Sequence, residues 1–273
     1  MRSTQFISYC LFFVCINFCL HSQAEEAQRI SVGDHSLFLD CTGIQKGPTV
    51  ILLAGAGDDT TAIWDKVQPN VAAFSRVCSY DRMGMGQSDH IPRKQSETEI
   101  VEDLHQLLTN AKVPAPYVLV GHSMGGIYAR KFAETYPNTV AGFVFVDSAH
   151  EEQVWRYAKI APMLLSEYQE WPNWLKLQDQ GWLLPGSTLQ WRTNVPLIVL
   201  QHGVEWPRGM FKGMSEAQAE DVKDTWHAMQ LDLSKRSKNG ELRTAEGSGH
   251  YIHTQKPGVV INAIRDVLSQ IAP

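Results

Sequence analysis

Short, uninterrupted apolar runs recur along this chain between amphipathic stretches, at residues 49–55, 77–80, 117–120, 142–146 and 197–200. Because each run is apolar throughout rather than alternating, it suits a strand covered by helices on both faces, which is the condition of a parallel sheet. The intervening stretches carry helical spacing. Residues 97–111 place Ile100, Val101, Leu104, Leu107 and Leu108 three and four apart, and residues 127–136 form a second such pattern halted by Pro137. Residues 241–245 read as a last strand and 259–271 as a closing helix. The alternation of strand and helix predicts an α/β fold with a mostly parallel sheet. One region breaks it: between His150 and Asn194 no clean strand appears, while Trp155, Trp171, Trp174, Trp182 and Trp191 crowd together. This predicts an inserted helical lid over about 150–194, between a strand ending near Asp147 and one beginning near Leu197; a surface excursion packed on the core is the alternative.

The N-terminus has a different character. Arg2 precedes an apolar stretch over residues 6–20, followed by Ser22-Gln23-Ala24, the layout of a signal peptide over residues 1–24 cleaved near Ala24. The expectation is a secreted or periplasmic protein with residues 25–273 as one domain and no stable membrane insertion. With 24 Lys and Arg against 29 Asp and Glu, and no basic run, the chain lacks the electrostatic footprint of nucleic-acid binding.

Chemistry concentrates at Gly121-His-Ser-Met-Gly125, which follows an apolar strand and opens a helix. A serine on such a strand-to-helix bend projects its hydroxyl above the sheet edge, and the flanking glycines allow strand and helix to approach. A hydroxyl needs a base to become a nucleophile. His250, in the turn Gly247-Ser-Gly-His250 before the last helix, is the candidate; His253 is its rival, and His122 lines or supports the site. For the acid that orients the histidine, Asp147 ends the run 142–146 and Glu205 follows the run 197–202; both remain open. Backbone donors to an oxyanion are expected from Met124, next to the serine, and from Ala56 in the small-residue loop 54–57.

Taken with Tyr80-Asp-Arg-Met-Gly-Met-Gly-Gln-Ser88, these motifs resemble the α/β-hydrolase superfamily over nearly all of residues 25–273. The resemblance implies a structural turn at Asp81-Arg82 and hydrolysis of a carboxylic ester, less readily an amide, through an acyl-enzyme on Ser123. That chemistry needs no metal or organic cofactor, and the tryptophans of the expected lid imply an apolar pocket for a small-molecule ester. The sheet order of that superfamily sets the strands of Cys41 and Cys78 side by side, so a disulfide is expected there, with two buried thiols as the alternative. Two departures stand out: Ala54 replaces the usual histidine of the oxyanion loop, and no aspartate follows the 197–200 strand at the usual place. The alternatives are a catalytically weak, hydrolase-like binding protein, or another serine-dependent activity such as aminopeptidase, carbon–carbon hydrolase or perhydrolase.

Overall fold

The computed structural model describes residues 27–58, 60–91, 93, 95–164, 193–204, 206 and 211–271. The expected signal peptide at 1–24, most of the expected lid with Trp171, Trp174, Trp182 and Trp191, and Glu205 lie outside the described residues.

Eight strands form one sheet: β1 (Gln28–Val32), β2 (His35–Thr42), β3 (Thr49–Leu53), β4 (Val77–Asp81), β5 (Tyr117–His122), β6 (Val140–Val146), β7 (Leu197–His202) and β8 (Gly240–Ala245). Their order is β1-β2-β4-β3-β5-β6-β7-β8. The pairs from β4 through β8 are parallel, whereas β1 with β2 and β2 with β4 run antiparallel. The antiparallel end reflects connection length: Gly33 and Asp34 close a two-residue turn between β1 and β2, with Gly33 at φ 65°, where only an antiparallel return is possible.

The period of two along each central strand divides the core. Ile51, Leu53, Leu119, Phe143, Phe145 and Val199 point to one face, and Val50, Leu52, Val118, Val120, Val144, Ile198 and Leu200 to the other. On the first face lie α3 (Glu97–Asn110) and α4 (Met124–Thr135), which contribute Val101, Leu104, Ile127 and Phe132. The second is covered by the short α1 (Thr60–Ile63) and α2 (Gln68–Ala72) and by the C-terminal α8 (Pro257–Gln270), through Val71, Val260, Ile264 and Val267. Helix α3 is started by a reciprocal cap in which Glu99 N–H donates to Ser96 Oγ and Ser96 N–H donates to Glu99 Oε2, satisfying two donors that helix geometry leaves over. Between β6 and β7 lies α5 (Gln153–Ile160), and after β7 comes a long helix, α6 (Glu216–Ser234); α7 (Ile252–Gln255) precedes α8.

Cys41 and Cys78 are directly opposed across the β2–β4 pair and form a disulfide. The bridge closes the antiparallel edge of the sheet onto its parallel centre.

Candidate active site

Ser123 sits between the end of β5 and the first residue of α4 with φ 51° and ψ −121°, a left-handed value that a residue with a side chain adopts only under constraint. The constraint comes from both sides. Ser123 N–H donates to Val146 O at 3.2 Å, while its carbonyl accepts from Ala149 N–H at 2.9 Å and Gly126 N–H at 3.1 Å. A Cβ on Gly121 would lie 2.5 Å from Gly126 N, and one on Gly125 would lie 2.3 Å from Leu53 O. Glycine at these positions is therefore a requirement of the bend, and the side chain of Ser123 is left partly accessible.

Asp147, one residue beyond β6, has φ 45° and is fully buried. His250 Nδ1 donates to its Oδ2 at 2.7 Å. The other oxygen accepts from His202 N–H at 3.1 Å and from Trp226 Nε1–H at 3.1 Å, and the His202 ring approaches both oxygens at 3.0 Å through Nδ1. Burial alone would raise this carboxyl, but the hydrogen bonds from His202 and His250 and the electrostatic attraction of their rings outweigh burial and hold it well below the usual carboxylate range. The Trp206 indole in turn donates to His202 Nε2, so both ring nitrogens of His202 are used by one neutral tautomer.

An ionised carboxylate only accepts, so Nδ1 of His250 carries the proton that faces Asp147, and in the neutral ring the lone pair is on Nε2. The ring is 37% exposed on its side chain, which leaves it open to substrate. Of the two acids read from the sequence, the structure brings Asp147 to His250.

The remaining histidines have different surroundings. His122 ends β5, fully buried, with its ring 4.6 Å from that of His250 and 4.3 Å from that of His253. His253 is also fully buried, its ring 4.6 Å from that of Trp64 and both nitrogens without a hydrogen-bond partner. Its ring packs against those of His122 and Tyr251 as well as Trp64. Burial, reinforced by His122 and His250, pushes its imidazole down to about 2. This has a consequence for stability. A histidine that titrates near its ordinary value when unfolded but stays neutral when folded binds more protons in the unfolded state, so stability is lost as pH falls below about 6.5. Between pH 7 and pH 5 the loss from His253 is about 2 kcal/mol. Urea unfolding of the wild type is expected to show this fall, and His253→Phe, which keeps the ring against Trp64, is expected to flatten it; an unchanged slope would remove His253 as its source.

The loop after β3 is held from below. Arg82 Nη1 donates to Ala54 O at 2.8 Å and Nη2 donates to Gly55 O, while the guanidinium lies 5.0 Å from the centre of the Tyr128 ring. Asp81 holds the next turn by accepting from Gln87 N–H at 2.9 Å, and Gly86 is obligatory because a Cβ there would meet Asp81 Oδ2 at 2.2 Å. The turn at Asp81-Arg82 thus fixes the backbone of the Ala54–Gly57 loop. Ala56 and Met124 line one cleft, together with Met83, Met85, Ile91 and Tyr128 and the polar Arg82, Arg93 and Gln95.

A second polar cluster buttresses the segment after Asp147. Buried Arg130 of α4 donates to Ala149 O at 2.9 Å and Glu151 Oε2 at 3.3 Å, and Arg236 donates to Glu151 Oε1 and to Asp232 Oδ2. His150 accepts from Glu152 N–H at its Nδ1. Gln230 of α6 donates to Ser148 O at 2.8 Å. These contacts seat α6 against the loop and so bring Trp226 to Asp147. Neither Trp226 nor His202 was identified from the sequence; a capping signal, Ser215-x-x-Gln218, marks the start of α6. Among the described residues no group of three or more His, Cys, Asp and Glu could hold a metal ion, and no helix is long and apolar enough to cross a membrane.

Comparison with known proteins agrees with this architecture. A family model described as the α/β-hydrolase fold matches residues 48–181. An uncharacterized protein of Schizosaccharomyces pombe is 36% identical over 119 residues, 44% of this chain; the chain spans only 20% of that protein's length. The uncharacterized protein YqjL of Bacillus subtilis is 26% identical over 230 residues, covering 81% of this chain and 83% of its own. Among solved structures, a carboxylesterase from Bacillus subtilis superposes with a TM-score of 0.59 at 16% identity, covering 89% of this chain and 91% of its own. With the sheet order, the serine bend and the matched family model in agreement, the chain belongs to the α/β-hydrolase superfamily.

Proposed function

We propose that this protein hydrolyses carboxylic esters through an acyl-enzyme on Ser123, with His250 as general base and Asp147 as the group that orients it. The observation that carries this reading is the 2.7 Å contact from His250 Nδ1 to a buried carboxylate, because it leaves Nε2 as the proton acceptor on a ring 4.6 Å from that of His122, the residue before the strained serine. Ser123 Oγ attacks the carbonyl carbon as its proton passes to His250 Nε2, and the carbonyl oxygen becomes an oxyanion facing the N–H groups of Met124 and Ala56. Collapse breaks the carbon–oxygen bond to the alcohol, which leaves with the proton from His250. Water then gives a proton to His250 and its oxygen to the acyl carbon, and the acid departs as Ser123 recovers its proton. Each oxyanion donor is worth about 3 kcal/mol in such steps.

The acyl group is assigned to the cleft shared by Ala56 and Met124, where Met83, Met85, Ile91 and Tyr128 offer apolar contacts beside the polar Arg82, Arg93 and Gln95. A binding protein without turnover was suggested by the missing acid after β7; a carboxylate supplied from the end of β6 removes that motive. The disulfide supports the reading of an exported protein, and an inserted lid over residues 150–194 remains part of the proposal.

The test is covalent labelling. A fluorophosphonate is expected to form one adduct, located to Ser123 by peptide mass spectrometry, and Ser123→Ala is expected to lose both the adduct and hydrolysis of p-nitrophenyl butyrate. A wild-type protein that neither labels nor hydrolyses the ester would refute this function.

A further inference from the structure

Asp58 sits at the end of the loop that follows β3, close to the nucleophile. The point a Cβ on Gly55 would occupy lies 2.7 Å from Asp58 Oδ2, 3.0 Å from His122 Nδ1 and 3.1 Å from Ser123 Cβ, so carboxylate and serine flank the same backbone atom. The carboxylate side chain is 13% exposed. Its neighbours are weak donors at long range: His122 Nδ1 stands 3.4 Å from Oδ2, and Tyr251 O–H stands 3.4 Å from Oδ1. Burial pulls the His122 imidazole below its ordinary value, so it presents a neutral ring. A carboxylate held this close to a reacting centre without a cation among the described residues beside it has unused acceptor capacity and an unneutralised field.

The location of this charge is informative. Tyr251 adjoins His250, and their rings lie 5.5 Å apart. His250 is the group that hands a proton to the departing alcohol, so Tyr251, which adjoins it, and Asp58, which the Tyr251 hydroxyl faces at 3.4 Å, are assigned to the leaving group. Tyr251 is also 41% exposed, an aromatic surface left open beside the charge. A carboxylate next to an accessible aromatic ring is the combination that attracts a weakly hydrated organic cation.

We propose that Asp58 and Tyr251 form a specificity subsite for a cationic nitrogen carried by the alcohol portion of the substrate, so that the preferred substrates are esters of amino alcohols or of their quaternary ammonium analogues. The inference rests on the hydrolytic reading of Ser123 and narrows it. It also accounts for Gly55: a side chain there would collide with Asp58, His122 and Ser123 at once, so only glycine leaves the acid its place in the loop.

Butyrylcholine and 3,3-dimethylbutyl butyrate have the same shape and differ in one charge. The wild type is expected to favour the cationic ester by about 10-fold in kcat/KM, measured by pH-stat, the order of a partly screened single ion pair. In Asp58→Asn this ratio is expected to fall to about 1, and Asp58→Lys is expected to invert it. Because the ratio compares two substrates on one protein, loss of active enzyme through misfolding cancels. Choline binding by calorimetry provides a readout independent of turnover, expected for the wild type and for Ser123→Ala and absent in Asp58→Asn. A wild-type ratio near 1, or a ratio that Asp58→Asn leaves unchanged, would overturn the subsite while leaving ester hydrolysis standing. Choline binding that depends on Asp58 in a protein without esterase activity or fluorophosphonate labelling would retain the cation site and refute the hydrolase. Absence of turnover, labelling and choline binding together would refute both.

Discussion

Asp147→Asn is expected to lower kcat on an activated ester by about 10⁴-fold, equivalent to about 5 kcal/mol of transition-state stabilisation. The reason is proton placement. As a carboxylate, Asp147 accepts from His250 Nδ1, His202 N–H, the His202 ring and Trp226 Nε1–H. An amide of the same shape brings two N–H bonds into a shell made of donors, and the conflict is relieved where a partner can change tautomer. His250 can do so: with its Nδ1 lone pair facing the amide, the proton moves to Nε2 and the ring can no longer take one from Ser123. Substrate binding does not depend on that proton, so KM is expected to change by less than about 3-fold while kcat falls. Circular dichroism should show the fold retained, since the Ser123 bend and the sheet are held by backbone bonds that the variant keeps. Glu205→Gln is the companion measurement, expected to change kcat less than about 3-fold; if it instead reproduces the loss and Asp147→Asn does not, Asp147 is not the orienting acid.

The sequence disclosed the parts of this site that depend on local geometry. Ser123 is legible because a strand, two glycines and a helix must follow one another for the bend to close, and His250 because the turn Gly247–Gly249 lies between a strand and a helix at the C-terminal side of the chain. The central strands are legible for a related reason: burial on both faces makes them continuously apolar. Their ends are less so. Strand β5 runs on because Gly121 still pairs with β3 and β6 and His122 with β6, although neither residue favours a strand on its own. Helix α4 likewise starts at Met124, ahead of the apolar pattern, because the bend fixes its first turn through two glycines.

What was not legible comes from contacts between distant segments. β1 is an edge strand with one buried residue, Val32, and offers little pattern. Helix α6 spaces its buried residues widely, at Val222, Trp226, Met229 and Leu233, among many charged ones, so its apolar stripe is narrow. Yet this helix delivers the indole that completes the shell of Asp147 from 79 residues away, and His202 reaches the same carboxylate across 55. Nothing in the immediate sequence of either residue marks it as part of a site. Asp147 is readable as a strand end, but that its carboxylate meets His250 depends on where the last turn of the chain folds back.

Gly125→Ala is expected to abolish activity and to destabilise the fold by more than about 3 kcal/mol, which is large for the addition of one methyl group. The added Cβ would lie 2.3 Å from Leu53 O, 2.8 Å from Leu53 C and 2.8 Å from Ala54 O. All three are backbone atoms at the end of β3, so no rotamer change relieves the contact and either α4 or the Ala54–Gly57 loop has to move. Movement of the loop is opposed by Arg82, which holds the carbonyls of Ala54 and Gly55. Movement of the helix is opposed by Arg130, which ties α4 to Ala149 and Glu151. Both escapes separate Ala56 from Met124, and with them the two N–H groups assigned to the oxyanion. Arg82→Gln offers a graded comparison: it frees the loop without adding a clash, so it should lower kcat while costing less stability than Gly125→Ala, and combining the two should recover part of the stability lost in Gly125→Ala but none of the activity. Recovery of activity in the double variant would mean that the oxyanion site tolerates displacement of the loop, and that the spacing enforced by Gly125 serves the core rather than the reaction.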